Sequence, residues 1–150
     1  MPEDHKSGLL KYKRSKFSTH LPTRYSYTKS HFWIDTNENT LTIGLTKFAV
    51  RMLGELVEYE FEISPKMPFQ KGDIIGWVEG LKANSDLYAV TSGELITDNS
   101  VLLENPELFF NKPHSDGWLY KVNGQVQDDF LSVNEYVTFL DQTIDGMPPR

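Results

Sequence analysis

The segment ELVEYEFEI, residues 55–63, constrains the chain more than any other stretch. Val57, Tyr59, Phe61 and Ile63 alternate with Glu58, Glu60 and Glu62. A period of two predicts a strand with one apolar and one solvated face, because successive side chains of a strand point to opposite sides. Such a strand needs a second layer to cover its apolar face.

Other segments supply the layers. His31–Asp35 and Leu41–Leu45 are short β-rich runs joined by Thr36–Thr40, a hairpin pattern. Thr46 is placed to cap a short helix through Leu53, with Gly54 as its left-handed stop and Ala49, Met52 and Leu53 on its inner face. Pro65, Pro68 and Gly72 mark a loop. Asp73–Glu79, Leu87–Val90, Glu94–Thr97 and Trp118–Val122 read as further strands. Asn105-Pro106-Glu107 opens a small helix, and Pro113–Gly117 is a loop. Val133, Tyr136, Val137, Leu140 and Ile144 recur at helical spacing, and Gly146, Pro148 and Pro149 end that helix. Short strands with turns between them predict a mainly β sandwich or flattened barrel with a few short helices and a C-terminal helix. The expected organisation is a basic N-terminal extension (1–24), a central β domain (25–124) and a C-terminal helical segment (125–150).

Charge is divided unevenly. Residues 1–24 hold six Lys/Arg against two acids, net +4, and the remainder holds nine against nineteen, net −10. The leader has weak periodicity and reads as an arm that drapes or frays. Its basic residues could contact nucleic acid or an acidic partner, and plain solvation is the favoured reading. The acidic body disfavours nucleic acid and favours basic protein partners. No run approaches the roughly 18 apolar residues of a membrane span, and the first residues carry no signal-peptide core, so the expected location is the cytoplasm.

The chain has no cysteine, which removes disulfides, Cys-ligated metals and a thiol nucleophile. The histidines at 5, 20, 31 and 114 do not fall at metal-ligand spacing. His31, beside Phe32 and Trp33, reads as a packed histidine before it reads as a base. Neither phosphate-loop nor dinucleotide glycine patterns occur, and Ser92-Gly93 lacks the setting of a nucleophile elbow. An enzyme working alone is therefore poorly supported.

One lysine stands apart. In GWVEGLKANSDLYAV, residues 76–90, Lys82 falls between two strand-like runs, with Glu79 before it and Ala83, Asn84, Ser85 and Asp86 after it. A tight hairpin projects one side chain while holding its root, and small neighbours let another protein approach. A lysine amine is protonated near neutral pH, so acylation needs a partner enzyme that activates the acid and takes up the proton. Spacing alone favours an ordinary turn lysine over an attachment point.

Four blocks in order carry a resemblance. They are His31-Phe32-Trp33; Gly44-Leu45-Thr46 with Ala49 and Leu53-Gly54; Glu79-Gly80-Leu81-Lys82-Ala83-Asn84-Ser85-Asp86, followed by Tyr88-Ala89 and Ser92-Gly93-Glu94; and Asn105–Leu108 with Gly117–Leu119 and Lys121. Over residues 25–122 the chain resembles the H protein of the glycine cleavage system. The resemblance implies a barrel-sandwich hybrid fold and lipoate in amide linkage to Lys82. Glu79, Ala83, Ser85 and Asp86 would be read by the lipoate-attaching enzyme. It further implies a non-catalytic, monomeric shuttle that carries an aminomethyl group and reducing equivalents. Its partners would be glycine decarboxylase, aminomethyltransferase and dihydrolipoamide dehydrogenase, with no nucleic acid or membrane. The sulfurs would be lipoate's own, which agrees with a cysteine-free chain.

Departures from the family pattern leave alternatives. Gly80-Leu81 stands where Ser-Val is usual, and a glycine there is expected to loosen the strand end. Ser-Pro-Lys-Met-Pro replaces the usual loop after the glutamate strand, and the basic leader lies outside the pattern. A lipoate carrier for sulfur oxidation or lipoyl relay, or an unmodified scaffold, are the rival readings. Biotin fits less well, since its carriers place Met on both sides of the lysine.

Overall fold

The computed structural model describes residues 8–148. His5 and Lys6 of the leader and the stop signal at Pro149 lie outside the described residues. The chain runs β1 (Leu9–Arg14), β2 (Phe17–Pro22), β3 (Ser26–Tyr27), β4 (Phe32–Asn37), β5 (Thr40–Leu45), α1 (Lys47–Leu53), β6 (Leu56–Phe61), β7 (Pro68–Phe69), β8 (Ile74–Gly80), β9 (Asn84–Tyr88), β10 (Gly93–Asp98), α2 (Val101–Glu104), α3 (Glu107–Asn111), β11 (Tyr120–Asn123) and α4 (Val133–Asp145). A six-stranded sheet, β3-β4-β5-β11-β10-β7, faces a three-stranded one, β6-β8-β9. All strand pairs are antiparallel. The predicted barrel-sandwich architecture is present.

β4 shows how sequence divides the interior. Phe32 and Ile34 enter the core between the two sheets, together with Leu41, Ile43, Val78 and Leu87. Trp33, between them, points to the other side of its sheet and enters a second core with Tyr12, Leu21, Tyr27, Phe48, Tyr136 and Leu140. Period-two alternation thus feeds two cores from one strand. Directly opposite Trp33 on β5 is Gly44. A Cβ on Gly44 would lie 2.6 Å from the indole, so only glycine lets the ring lie across the neighbouring strand. Tyr25 stacks on the indole at 4.6 Å and 14°.

The second core overturns the expectation of a frayed leader. Residues 9–22 form an antiparallel hairpin, with Leu10 opposite Leu21 and Tyr12 opposite Thr19. Leu21 is fully buried, which favours folding by about 1.5–3 kcal/mol. Tyr12 donates its hydroxyl proton to Asp141 on α4 at 2.8 Å. α4 itself starts with a capping box. Ser132 Oγ accepts from the Glu135 amide at 3.2 Å, and Glu135 Oε1 accepts from the Ser132 amide at 2.8 Å.

Three local details differ from the sequence reading. The apolar series of the glutamate strand is interrupted, because its register against β8 shifts between Leu56 and Glu58. Val57 is carried outward by that bulge and is exposed, while Tyr59 remains buried. On α1 the buried residues are Phe48, Val50 and Leu53, and Met52 is exposed. Thr46 precedes α1 without capping it by its side chain. Its hydroxyl is hydrogen-bonded at 2.8 Å to Tyr136 of α4, so a tertiary contact outcompetes the local one.

Candidate functional site

Lys82 sits at the tip that joins β8 to β9, where the Gly80 amide donates to the Ala83 carbonyl at 2.9 Å. The tip is pinned from below. α1 ends at Gly54, whose φ of 84° and ψ of −170° suit glycine alone. That turn leaves the Leu53 carbonyl pointing at the hairpin, where it accepts from the Lys82 amide at 2.8 Å and the Ala83 amide at 3.3 Å. The Glu55 carbonyl accepts from the Leu81 amide at 2.9 Å. A helix terminus leaves carbonyls without partners, and here two of the tip's amides satisfy that of Leu53.

Gly80 makes this approach possible. A Cβ at Gly80 would stand 2.1 Å from the Leu53 carbonyl oxygen. The glycine therefore does not loosen the strand end, as its sequence position suggested; it lets α1 and the hairpin close on each other. Gly54 works from the other side, where a Cβ would come within 3.1 Å of the Lys82 nitrogen.

With its backbone held, the tip leaves its side chains free. Leu81 is 71% exposed, and Lys82, Ala83, Ser85 and Asp86 are exposed as well. Among the described residues the Lys82 amine makes one hydrogen bond, to the Arg51 carbonyl at 3.4 Å, at the long limit for a hydrogen bond. Lys82 belongs to no ion pair among the described residues. The register places Glu79 opposite Asn84 and Asp86 opposite Trp77. Glu79 and Asp86 thus share one face of the sheet as diagonal neighbours. Glu58 and Glu60, opposite Glu79 and Trp77 on the other side, continue that acidic face. Ser85 stands opposite Val78, on the other face, and its hydroxyl donates to the Asp86 carbonyl at 2.9 Å. The lysine is thus flanked by acids on one face and a small polar residue on the other. Arg51, Leu53 and Glu55 were missed as parts of this site because they act through their carbonyls. Gly54 and Gly80 were their sequence signals.

His31 is a packed residue. Its ring lies against Phe48 at 4.7 Å and Phe139 at 5.6 Å. Nδ1 is hydrogen-bonded to the Tyr136 hydroxyl at 2.9 Å. Burial lowers its pKa to about 4, so the ring is neutral near pH 7. Among the described residues no group of His, Asp or Glu is arranged to hold a metal ion, and no helix is long and apolar enough to cross a membrane.

Two facing antiparallel sheets with an exposed tip on a pinned hairpin define a barrel-sandwich protein. The family model described as glycine cleavage H-protein matches residues 25–143, and the chain belongs to that family. The match extends beyond the resemblance read from motifs and takes in most of α4. A glycine cleavage system H protein of Dinoroseobacter shibae is 43% identical over 102 residues, covering 68% of this chain and 82% of the relative. One from Halothermothrix orenii is 35% identical over 126 residues, covering 81% and 97%. A crystal structure of a glycine cleavage system H protein from Mycobacterium marinum aligns with a TM-score of 0.72 at 31% identity, covering 79% of this chain and 97% of that one. The hairpin β1–β2 lies outside the matched family region.

Proposed function

We propose that the chain is a lipoyl-carrying shuttle, a carrier subunit of the glycine cleavage system, with Lys82 as its attachment point. The observation that carries this reading is the division of labour at the tip. Three backbone amides, of Leu81, Lys82 and Ala83, are tied to residues 53 and 55, while the Lys82 amine has one long contact. The residues present fit the group, since acylation needs an exposed amine and a neighbourhood of small side chains. Lipoate in amide linkage would supply a dithiolane able to take up the aminomethyl group and two electrons. The chain's own contribution is presentation: a fixed root raises the effective concentration of whatever the lysine carries.

Glu79, Ala83, Ser85 and Asp86 act in recognition by the attaching enzyme, the acids as one charged edge and the small residues as clearance. The acidic face continued by Glu58 and Glu60 favours partners with basic docking surfaces. No side chain of the carrier takes part in the chemistry, which belongs to glycine decarboxylase, aminomethyltransferase and dihydrolipoamide dehydrogenase. The carrier works among them as a monomer in the cytoplasm.

The test is intact mass after incubation with lipoate, ATP and a lipoate ligase, followed by reconstitution with the three partner enzymes. A single lipoyl increment on Lys82 and glycine-dependent NADH formation are expected. A chain that stays unmodified sinks the carrier reading. A modified chain that supports no glycine cleavage assigns the carrier to another lipoate-dependent system.

A further inference from the structure

The basic leader was left unexplained by the carrier reading, and the structure gives it a place. A cleft of about 960 Å³ opens between the β1–β2 hairpin, the start of α1 and the loop at 111–115. None of residues 79–86 lines it, so it is separate from the Lys82 hairpin. One strand face of the hairpin supplies Lys11 and Lys13, with His20 directly opposite Lys11. Arg24, Lys47 and Lys112 add charge from the other walls. No Asp or Glu is among the described residues that line the cleft. Arg24 pairs with Asp35 at 3.1 Å and Lys112 approaches Asp116 at 3.6 Å. Lys11, Lys13 and Lys47 form no ion pair among the described residues. In a chain of net charge −6, a cleft whose described lining holds five Lys/Arg and no acid, three of the five without an ion pair among the described residues, is a concentrated field of opposite sign.

The floor of the cleft is built rather than incidental. His114 receives the Lys47 amide on Nε2 at 2.9 Å and donates from Nδ1 to the His20 carbonyl at 3.0 Å. One neutral ring therefore ties α1, the loop and the hairpin together. Tyr25 donates to the His114 carbonyl at 2.7 Å, and Trp33 donates to the Pro113 carbonyl at 2.8 Å. The walls are thus set before any ligand arrives, which lowers the ordering cost of binding. The cleft has the size of a small-molecule site, and its unpaired charges are lysines, compact point charges suited to phosphate oxygens.

We infer that this cleft binds a small molecule bearing adjacent phosphate groups, and that the N-terminal hairpin, outside the family's matched region, creates the site. A concave wall lined by lysines from three elements surrounds a compact polyanion better than it meets the flat face of a protein. The inference does not depend on modification of Lys82, and its test uses the unmodified full-length chain.

The test is calorimetric titration with inorganic diphosphate. Saturable one-to-one binding is expected. Lys11→Gln/Lys13→Gln should weaken it by about tenfold or more, with an unchanged melting curve, and Lys11→Arg/Lys13→Arg should retain it. Lys29→Gln/Lys66→Gln, outside the lining, should leave it unaltered. If the first variant fails to fold, Lys47→Gln removes a cation from a second wall of the cleft and should also weaken binding. Absence of saturation at millimolar diphosphate overturns the inference, as does an equal loss in the control variant. Equal affinity for sulfate would reduce the site to general anion attraction and overturn the diphosphate class. Tighter binding of a glutamate-rich peptide would replace the small-molecule ligand with an acidic protein segment.

Discussion

The β8–β9 tip and the β1–β2 hairpin are both antiparallel pairs, secured by opposite means. The first is held through its backbone, by carbonyls of residues 53 and 55, and keeps its side chains free. The second is held through its side chains, with Tyr12 and Leu21 in the second core and Arg14 bonded to Asp145 of α4 at 2.6 Å. A segment that must present a side chain cannot also spend it on packing. A segment that must stay closed has no such restriction. The pinned tip therefore tolerates change at exposed positions, while the packed hairpin depends on particular side chains.

The sharpest way to break this contrast is at the tip. Lys82→Arg should abolish lipoyl attachment, read by intact mass, while shifting unfolding free energy by no more than about 0.5 kcal/mol. A large loss of stability would show that the lysine is structural after all. The corresponding change in the packed hairpin should behave in the reverse sense. Leu21→Ala should cost about 2–5 kcal/mol in denaturant unfolding and leave attachment at Lys82 at its normal rate.

Gly80→Ala tests the backbone pin. The new methyl meets the Leu53 carbonyl at 2.1 Å, so the tip must lift. A loss of about 1–3 kcal/mol and slower attachment are expected together. Normal stability and attachment would mean that the hairpin does not need its close seat on α1.

Acid should discriminate between the two regions. Burial lowers the pKa of His31 and of His114 to about 4, below the ordinary value near 6.5. Stability from these neutral rings is intact above pH 6.5. As the pH falls, the unfolded chain binds protons first, so that stability is lost toward pH 4, on the order of 2 kcal/mol per ring. Both rings brace the side of the molecule that carries β1–β2 and α4. Hydrogen exchange at pH 5 should therefore show those amides losing protection before the amides at 81–83. The smallest effect belongs to the exposed ion pair: Arg14→Gln should leave the thermal melting curve nearly unchanged, because solvent screens the pair.

Strand content was legible wherever alternation was regular, as in β4, β5 and most of β6. The family was legible as four blocks of side chains. The pin under Lys82 was not, because hydrogen bonds to carbonyls leave almost no trace in residue identity; Gly54 and Gly80 were the only marks. The bulge at Val57 was hidden because a register shift keeps the sequence pattern and changes only which face it meets. The β1–β2 hairpin had its signal in Leu10 and Tyr12, then Phe17, Thr19 and Leu21, but interleaved lysines made it read as a solvated arm. Its turn at Ser15, with φ of 56°, lacks the glycine that would have announced it.

A single carbonyl, that of Leu53, receives two amides of the tip. The swivel of any cargo on residue 82 is thereby stationary with respect to the body, and its range is a dome drawn by the length of the arm alone. On the carrier proposal, every enzyme that uses the cargo would have to enter the same dome, so two could not be served at one time. On that proposal, traffic between them would be governed by how quickly each one leaves.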